Sequence, residues 1–173
     1  LVGGVYYFED ENYSDFADLL TISSPAAPPP NGLLLVLADR TMRNSTRAYA
    51  GYIQGDVNVT DRLKLTAGIR YTDETKRVSF RDNRASCNDA TLEPGCIDDR
   101  NMTVPNGTVI PRKRNIKIWT PRFAINYQAN PDLLLFASAT RGFKSGGWNA
   151  RGLAASELLP FDAEKAWSYE AGF

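Results

Sequence analysis

Apolar and polar residues alternate along five stretches of this chain for about ten positions each, and very short turns join two pairs of them. The clearest stretch runs Leu63-Lys64-Leu65-Thr66-Ala67-Gly68-Ile69-Arg70-Tyr71-Thr72, with apolar odd positions and small or polar even ones. Successive strand residues point to opposite faces, so the stretch has one greasy and one wet side. The phase recurs in Tyr49–Val59, where Tyr49, Gly51, Ile53, Val57 and Val59 alternate with Ala50, Tyr52, Gln54, Asp56 and Asn58. It recurs again in Trp119, Pro121, Phe123, Ile125 and Tyr127, and in Trp167, Tyr169, Ala171 and Phe173. The run Leu133–Lys144 is less regular, because Leu134 and Phe136 add apolar groups to its second face; Val5-Tyr6-Tyr7-Phe8 is continuous and serves either face. About ten residues is what a tilted strand needs to cross bilayer hydrocarbon, whereas strands of soluble sheets run to about five or six.

The pattern predicts antiparallel strands near 2–10, 45–59, 63–80, 115–128, 132–145 and 164–173, pairing in sequence order. Short turns fall at Asn58-Val59-Thr60-Asp61-Arg62 and Gln128-Ala129-Asn130-Pro131-Asp132, while the other connections are long: about 12–45, 81–114 and 145–164. Short turns on one rim and long loops on the other are the plan of an outer-membrane barrel, with the long side outside the cell. The fold class is therefore all-β, an antiparallel transmembrane β-barrel segment of about six strands with long extracellular loops. Six strands do not close such a barrel, for which eight is the usual minimum.

Composition narrows the picture. Lys plus Arg equals Asp plus Glu at 20 each, so no charge excess points to nucleic acid. The longest uncharged stretch, Leu19–Ala38, holds Pro25, Pro28, Pro29 and Pro30, which exclude a membrane-spanning helix there. No initiator Met or signal peptide is present, so the chain reads as a partial segment. Cys87 and Cys96, with Glu93-Pro94-Gly95 between them, read as a local disulfide closing a polar loop in an oxidising compartment. There is no His, so a His-ligated zinc or haem and a Ser-His-Asp triad are excluded within the segment, and no metal, cofactor or enzymatic activity is expected. The acidic residues Glu9, Asp10, Glu11, Asp15 and Asp18 do not match an EF-hand spacing and read as a solvated loop mouth.

Three blocks carry a family resemblance. They are Tyr49-Ala50-Gly51-Tyr52-Ile53-Gln54-Gly55-Asp56 with Thr60-Asp61-Arg62-Leu63; Trp119-Thr120-Pro121-Arg122-Phe123-Ala124; and Arg141-Gly142-Phe143-Lys144-Ser145-Gly146-Gly147-Trp148-Asn149 followed by Ser168-Tyr169-Glu170-Ala171-Gly172-Phe173. Together they resemble the barrel of TonB-dependent outer-membrane receptors. The resemblance implies that residues 1–173 are about a quarter of a 22-stranded barrel, with the plug domain and the TonB box outside this chain. It further implies the outer membrane of a Gram-negative bacterium and uptake of a scarce nutrient, such as a ferric siderophore. Partners would be outer-membrane lipid, the plug, TonB through an N-terminal box, and a small-molecule substrate. The alternatives are a passive porin-like barrel and a secreted soluble β-sheet binding protein.

Two groups of residues are candidates for contact with ligand or plug. Arg141, Lys144 and Trp148 stand where strand 132–145 leaves the membrane, near an anionic or aromatic substrate, or near lipid headgroups as interfacial anchors. Gln54, Arg70, Arg122 and Asn126 lie on the polar faces, turned toward the lumen and the plug that fills it.

Overall fold

A computed structural model describes residues 1–23, 32–84, 87, 96–97, 102–104, 107–152 and 155–173. Six strands, β1 (Val2–Ser23), β2 (Gly32–Thr60), β3 (Leu63–Asp82), β4 (Lys113–Asn130), β5 (Leu133–Lys144) and β6 (Glu164–Gly172), form one curled sheet in the order β1-β2-β3-β4-β5-β6. Every neighbouring pair is antiparallel. A 3-10 turn, Ala155–Leu158, lies in the connection between β5 and β6.

The two short turns close as their side chains dictate. Thr60 Oγ1 accepts the backbone N–H of Arg62 at 3.2 Å and of Leu63 at 3.0 Å, and Asn130 Oδ1 accepts that of Asp132 at 3.0 Å. These are the local bonds by which hydroxyl and amide side chains imitate a backbone turn.

The register confirms the two-faced reading. Across β3 and β4, Leu63, Leu65, Ala67, Ile69 and Tyr71 stand opposite Tyr127, Ile125, Phe123, Pro121 and Trp119 on the outward face. Phe123 is 53% exposed there, while Thr66, one residue from Ala67 but on the inner face, is 8% exposed. Burying the outward band requires an apolar medium that the chain does not itself supply. At the upper edge of the band, Tyr71 and Trp119 rings meet at 4.6 Å and Tyr7 and Tyr49 rings at 5.1 Å, an aromatic belt of the kind that marks a lipid–water boundary.

Strand length departs from expectation at the first long connection. β1 has 22 residues and β2 has 29, and they pair without a break in strand from Val2↔Gln54 to Ser23↔Gly32 apart from a register shift at Asp18/Leu19. The connection expected over 12–45 is thus mostly sheet, and only residues 24–31, outside the described residues, separate the two strands. The expectation failed because the nearer part of the extension is polar on both faces and its far part, Leu33–Ala38, is apolar at every position, so neither shows a period of two. Its ladder is reinforced by cross-strand contacts: Arg47 to Glu9 at 2.5 Å, the Thr41 hydroxyl donating to Asp15, and Arg43 over the Tyr13 ring at 5.7 Å.

Above Tyr71 the apolar phase reverses. Val78 and Phe80 in β3 and Ile116 and Ile118 in β4 are buried on the inner face, and the outward positions become Asp73, Thr75, Arg77 and Ser79. Val78 and Phe80 pack with Ile97, Met102, Val104, Ile110 and Leu158 into a small core, with Met42, Trp148 and Ala150 at its edge. Each long connection leaving β3 and β5 thus folds back over the inner side of the extension. Beyond the hydrocarbon the outward face meets water, so only a covered inner face repays apolar residues.

Candidate functional site

One inner-face row crosses the whole sheet: Val2, Gln54, Gly68, Arg122, Thr140 and Ser168 are successive register partners. The next row above it runs Gly4, Tyr52, Arg70 and Thr120. Gln54, Arg70 and Arg122 therefore lie in adjoining rows, and Asn126 sits two rows below Arg122 between Lys64 and Phe136. Strand alternation alone places all four on one side, as the sequence predicts.

Local packing sets their poses. The Arg70 guanidinium lies 5.2 Å from the Tyr6 ring centroid, and its Nε donates to Thr72 Oγ1 at 3.2 Å. Gly68 leaves room for Gln54, because a Cβ there would approach the Gln54 side chain to 3.2 Å. The Tyr52 ring lies over Gly4, where a Cβ would come within 2.8 Å of it. The result is a wall of flat aromatic surfaces interrupted by guanidinium and amide groups. Cation–π contact of this kind holds an arginine in place while its remaining N–H groups stay available.

The second candidate group does not form one cluster. Arg141 is the register partner of Trp167 on the outward face, continuing Leu133, Leu135, Ala137 and Ala139. Lys144 is on the opposite face, beside Glu164. Trp148 is half-buried against the small core, its indole N–H donating to the Pro111 carbonyl at 2.9 Å. The glycines ahead of it serve a close approach: a Cβ on Gly146 would lie 2.2 Å from the Phe161 carbonyl oxygen, and Gly147 and Phe161 exchange backbone hydrogen bonds of 3.2 and 2.9 Å. Lys76 Nζ donates to the Gly146 carbonyl at 3.1 Å, tying this block to β3.

A buried ionic cluster escaped the sequence reading. Arg40 is fully buried, with Nε 3.4 Å from Asp82 and one terminal nitrogen donating to the Ala150 and Gly152 carbonyls at 2.8 and 2.7 Å. Burial pushes its guanidinium pKa down, and the Asp82 carboxylate opposes that shift. Arg84 binds Asp82 at 3.0 Å, the Leu37 carbonyl at 3.0 Å and the Cys96 sulfur at 3.7 Å. Cys87 and Cys96 are disulfide-bonded, with Cα atoms 5.4 Å apart, as the spacing predicts. Asp82 and the two sulfurs lie within 4.8 Å of one another, yet the sulfurs are bonded together and the carboxylate is held by two arginines. Arg40 left no sequence signal, because it falls within the long connection expected over 12–45.

The acidic residues of β1 also do not converge. Glu9 pairs with Arg47, Asp15 with the Thr41 hydroxyl and Asp18 with Arg151 at 3.2 Å. They belong to a paired strand rather than to a loop mouth. Hydrogen bonding from the Tyr7 hydroxyl, then the Arg47 guanidinium, holds the Glu9 carboxyl below the usual range.

Comparison with known families agrees with this architecture. The TonB dependent receptor-like β-barrel family matches residues 1–173, and the chain belongs to that family. No solved structure matches the chain. The family is one of outer-membrane receptors and transporters of Gram-negative bacteria rather than enzymes.

Proposed function

Given membership in the TonB-dependent receptor barrel family, we propose that this segment forms part of the wall of a receptor that imports a scarce small molecule, a ferric siderophore or a similar chelate, across the outer membrane. The observation that carries the reading is the inner-face pair of rows holding Gln54, Arg70 and Arg122 beside Tyr6 and Tyr52. Such a wall suits two tasks. Guanidinium and amide groups bind carboxylates and carbonyls of a plug packed against the wall, and the aromatic faces bound a path for a substrate carrying both charge and rings. Asn126, lower on the same face, belongs to the plug-facing set, and Lys144 at the rim meets substrate before it enters.

Energy reaches the site through the plug and TonB. A plugged barrel passes nothing until the plug moves, so uptake requires coupling to the inner-membrane gradient. A passive porin needs no such coupling, and a soluble sheet would not expose the band containing Phe123, Ile125 and Leu65.

The test is uptake of a panel of labelled ferric chelates into cells carrying the full-length receptor, with and without collapse of the proton gradient. Saturable uptake that stops on collapse supports the reading. A non-saturating flux that persists after collapse would make the barrel a porin.

A further inference from the structure

Above Gly4 the inner face of β1 carries Tyr6, Phe8, Asp10 and Asn12 in succession. Tyr6 stands level with the aromatic belt and the column rises from it, so a solute entering from outside meets these groups early. The Tyr6 and Phe8 rings lie parallel to within 9°, with centroids 6.4 Å apart. Tyr52 continues the aromatic surface downward, its ring lying over Gly4. At the same heights in β2, β3 and β4, Ala48, Ala50, Thr72, Ile116 and Ile118 are buried, whereas Tyr6 is 45% and Phe8 41% exposed. Aromatic faces turned to a wet lumen gain nothing there until a ligand covers them.

The polar groups decide the kind of ligand. Ionised Asp10 offers acceptors alone, and it has no ion-pair partner among the described residues, although Glu9 next to it holds Arg47. Asn12 follows; its Oδ1 accepts the Ser14 hydroxyl at 3.4 Å, which leaves its amide N–H groups to donate elsewhere. Charges around the column cancel. Lys76 pairs with Glu74 at 3.8 Å, and Arg70, against the Tyr6 ring, balances Asp10. A wall without net charge does not draw an anionic chelate. A row of acceptors and amide donors above two ring faces instead matches a pyranose, whose C–H groups lie against the negative face of an aromatic ring while its hydroxyls bond at the edge. A simple phenol would cover the rings and leave the polar row unused. From Tyr6 to Asn12 the column spans about 20 Å of strand, room for several sugar units.

We propose that the β1 column is a binding subsite for a neutral oligosaccharide, with sugar rings lying on Tyr6 and Phe8 and hydroxyls donating to Asp10. The inference rests on the reading of this face as the lining of an uptake path, and it adds a neutral glycan to the cargo of that path. Hydrogen bonds to a carboxylate are the stronger kind, so Asp10 contributes most of the polar selectivity.

The experiment screens the full-length receptor in neutral detergent against an array of neutral oligosaccharides. The strongest binder is then titrated by calorimetry, beside hexagalacturonate as an acidic glycan and coniferyl alcohol as a neutral phenol. A neutral glycan should bind more tightly than either. Tyr6→Ala/Phe8→Ala should weaken it about tenfold or more, and Asp10→Asn, an exposed change that leaves the strand intact, about fivefold. Phe8→Tyr should retain binding, and Tyr13→Ala, an aromatic removed from the outward face of the same strand, should change nothing. No neutral glycan bound by a heat-modifiable receptor, tighter binding of hexagalacturonate or coniferyl alcohol, or affinities of the double variant and Asp10→Asn both within about twofold of the unsubstituted receptor would each overturn the subsite. Gradient-driven uptake of a ferric chelate without glycan binding overturns the glycan subsite alone. Glycan binding with a flux that survives collapse of the gradient overturns the coupled receptor and upholds the subsite.

Discussion

Arg40 and Asp82 are register partners across β2 and β3, both buried, with the guanidinium Nε 3.4 Å from the carboxylate. Arg40 also reaches the carbonyls of Ala150 and Gly152, so one side chain joins two strands of the wall to the connection between β5 and β6. Arg84 holds the same carboxylate and lies against the disulfide, which brings the connection between β3 and β4 into the same knot. The polar cluster fixes how the two long connections cover the small core beneath them.

Removing Arg40 should therefore release the connections while leaving the membrane part of the sheet intact. Arg40→Met leaves the Ala150 and Gly152 carbonyls without this donor and Asp82 with Arg84 alone. Breaking one partner from a buried pair costs about 3–5 kcal/mol. Tryptic cleavage at Arg151 should accelerate, whereas heat-modifiable mobility of the full-length receptor should persist. Unchanged cleavage would show that the small core suffices to hold the segment.

The two faces of the wall should differ sharply in their tolerance of charge. Ala67→Arg and Ile125→Arg place a cation on the outward band, at a cost of about 2–4 kcal/mol near the bilayer midplane. Asn126→Arg, on the inner face beside Lys64, should assemble better than either. Thr66→Arg is a poorer control, since Thr66 is buried and its hydroxyl donates to Asp56 at 2.6 Å. Surface yield and heat-modifiable mobility of the four receptors measure the difference, and equal behaviour of Ile125→Arg and Asn126→Arg would contradict the assigned faces.

Reducing the disulfide should have a local effect. Cys87 and Cys96 are nine positions apart, and a short closed loop of this kind contributes about 2–4 kcal/mol, mostly to its own order. In Cys87→Ser/Cys96→Ser, amide exchange at Ile97 and Met102 should speed up while exchange within β3 and β4 below Tyr71 stays slow. Protection lost throughout β3 would mean that the knot supports the barrel wall itself.

Acid should loosen the β1–β2 extension. The folded Glu9 pKa is depressed by Tyr7 and Arg47, so its contribution is present above the unfolded value of about 4.3 and is lost as pH falls through the lower folded value. Amide exchange around Glu9 and Arg47, corrected for its intrinsic pH dependence, should rise over that interval. Glu9→Gln should remove that pH dependence; a variant with the same profile would place the titrating group elsewhere.

Strand alternation by itself determined the membrane part of this protein. Because the side-chain period of a strand is two, Leu63 through Tyr71 could be assigned to faces without coordinates, and Gln54, Arg70, Arg122 and Asn126 followed. The same parity already separated Arg141 from Lys144; grouping them by nearness in sequence hid it. The short turns and the disulfide were legible for a similar reason, since each depends on residues close together in the chain. Tertiary structure decided the rest. The extension of β1 and β2 shows no period of two, because its nearer part is polar on both faces and Leu33–Ala38 is apolar throughout, and its pairing is held by backbone bonds and contacts such as Glu9 with Arg47. Arg40 and Trp148 acquire their roles from partners more than thirty positions away, the Ala150 and Gly152 carbonyls for one and the Pro111 carbonyl for the other. No local pattern encodes such contacts, because they exist only once the long connections have folded back over the sheet.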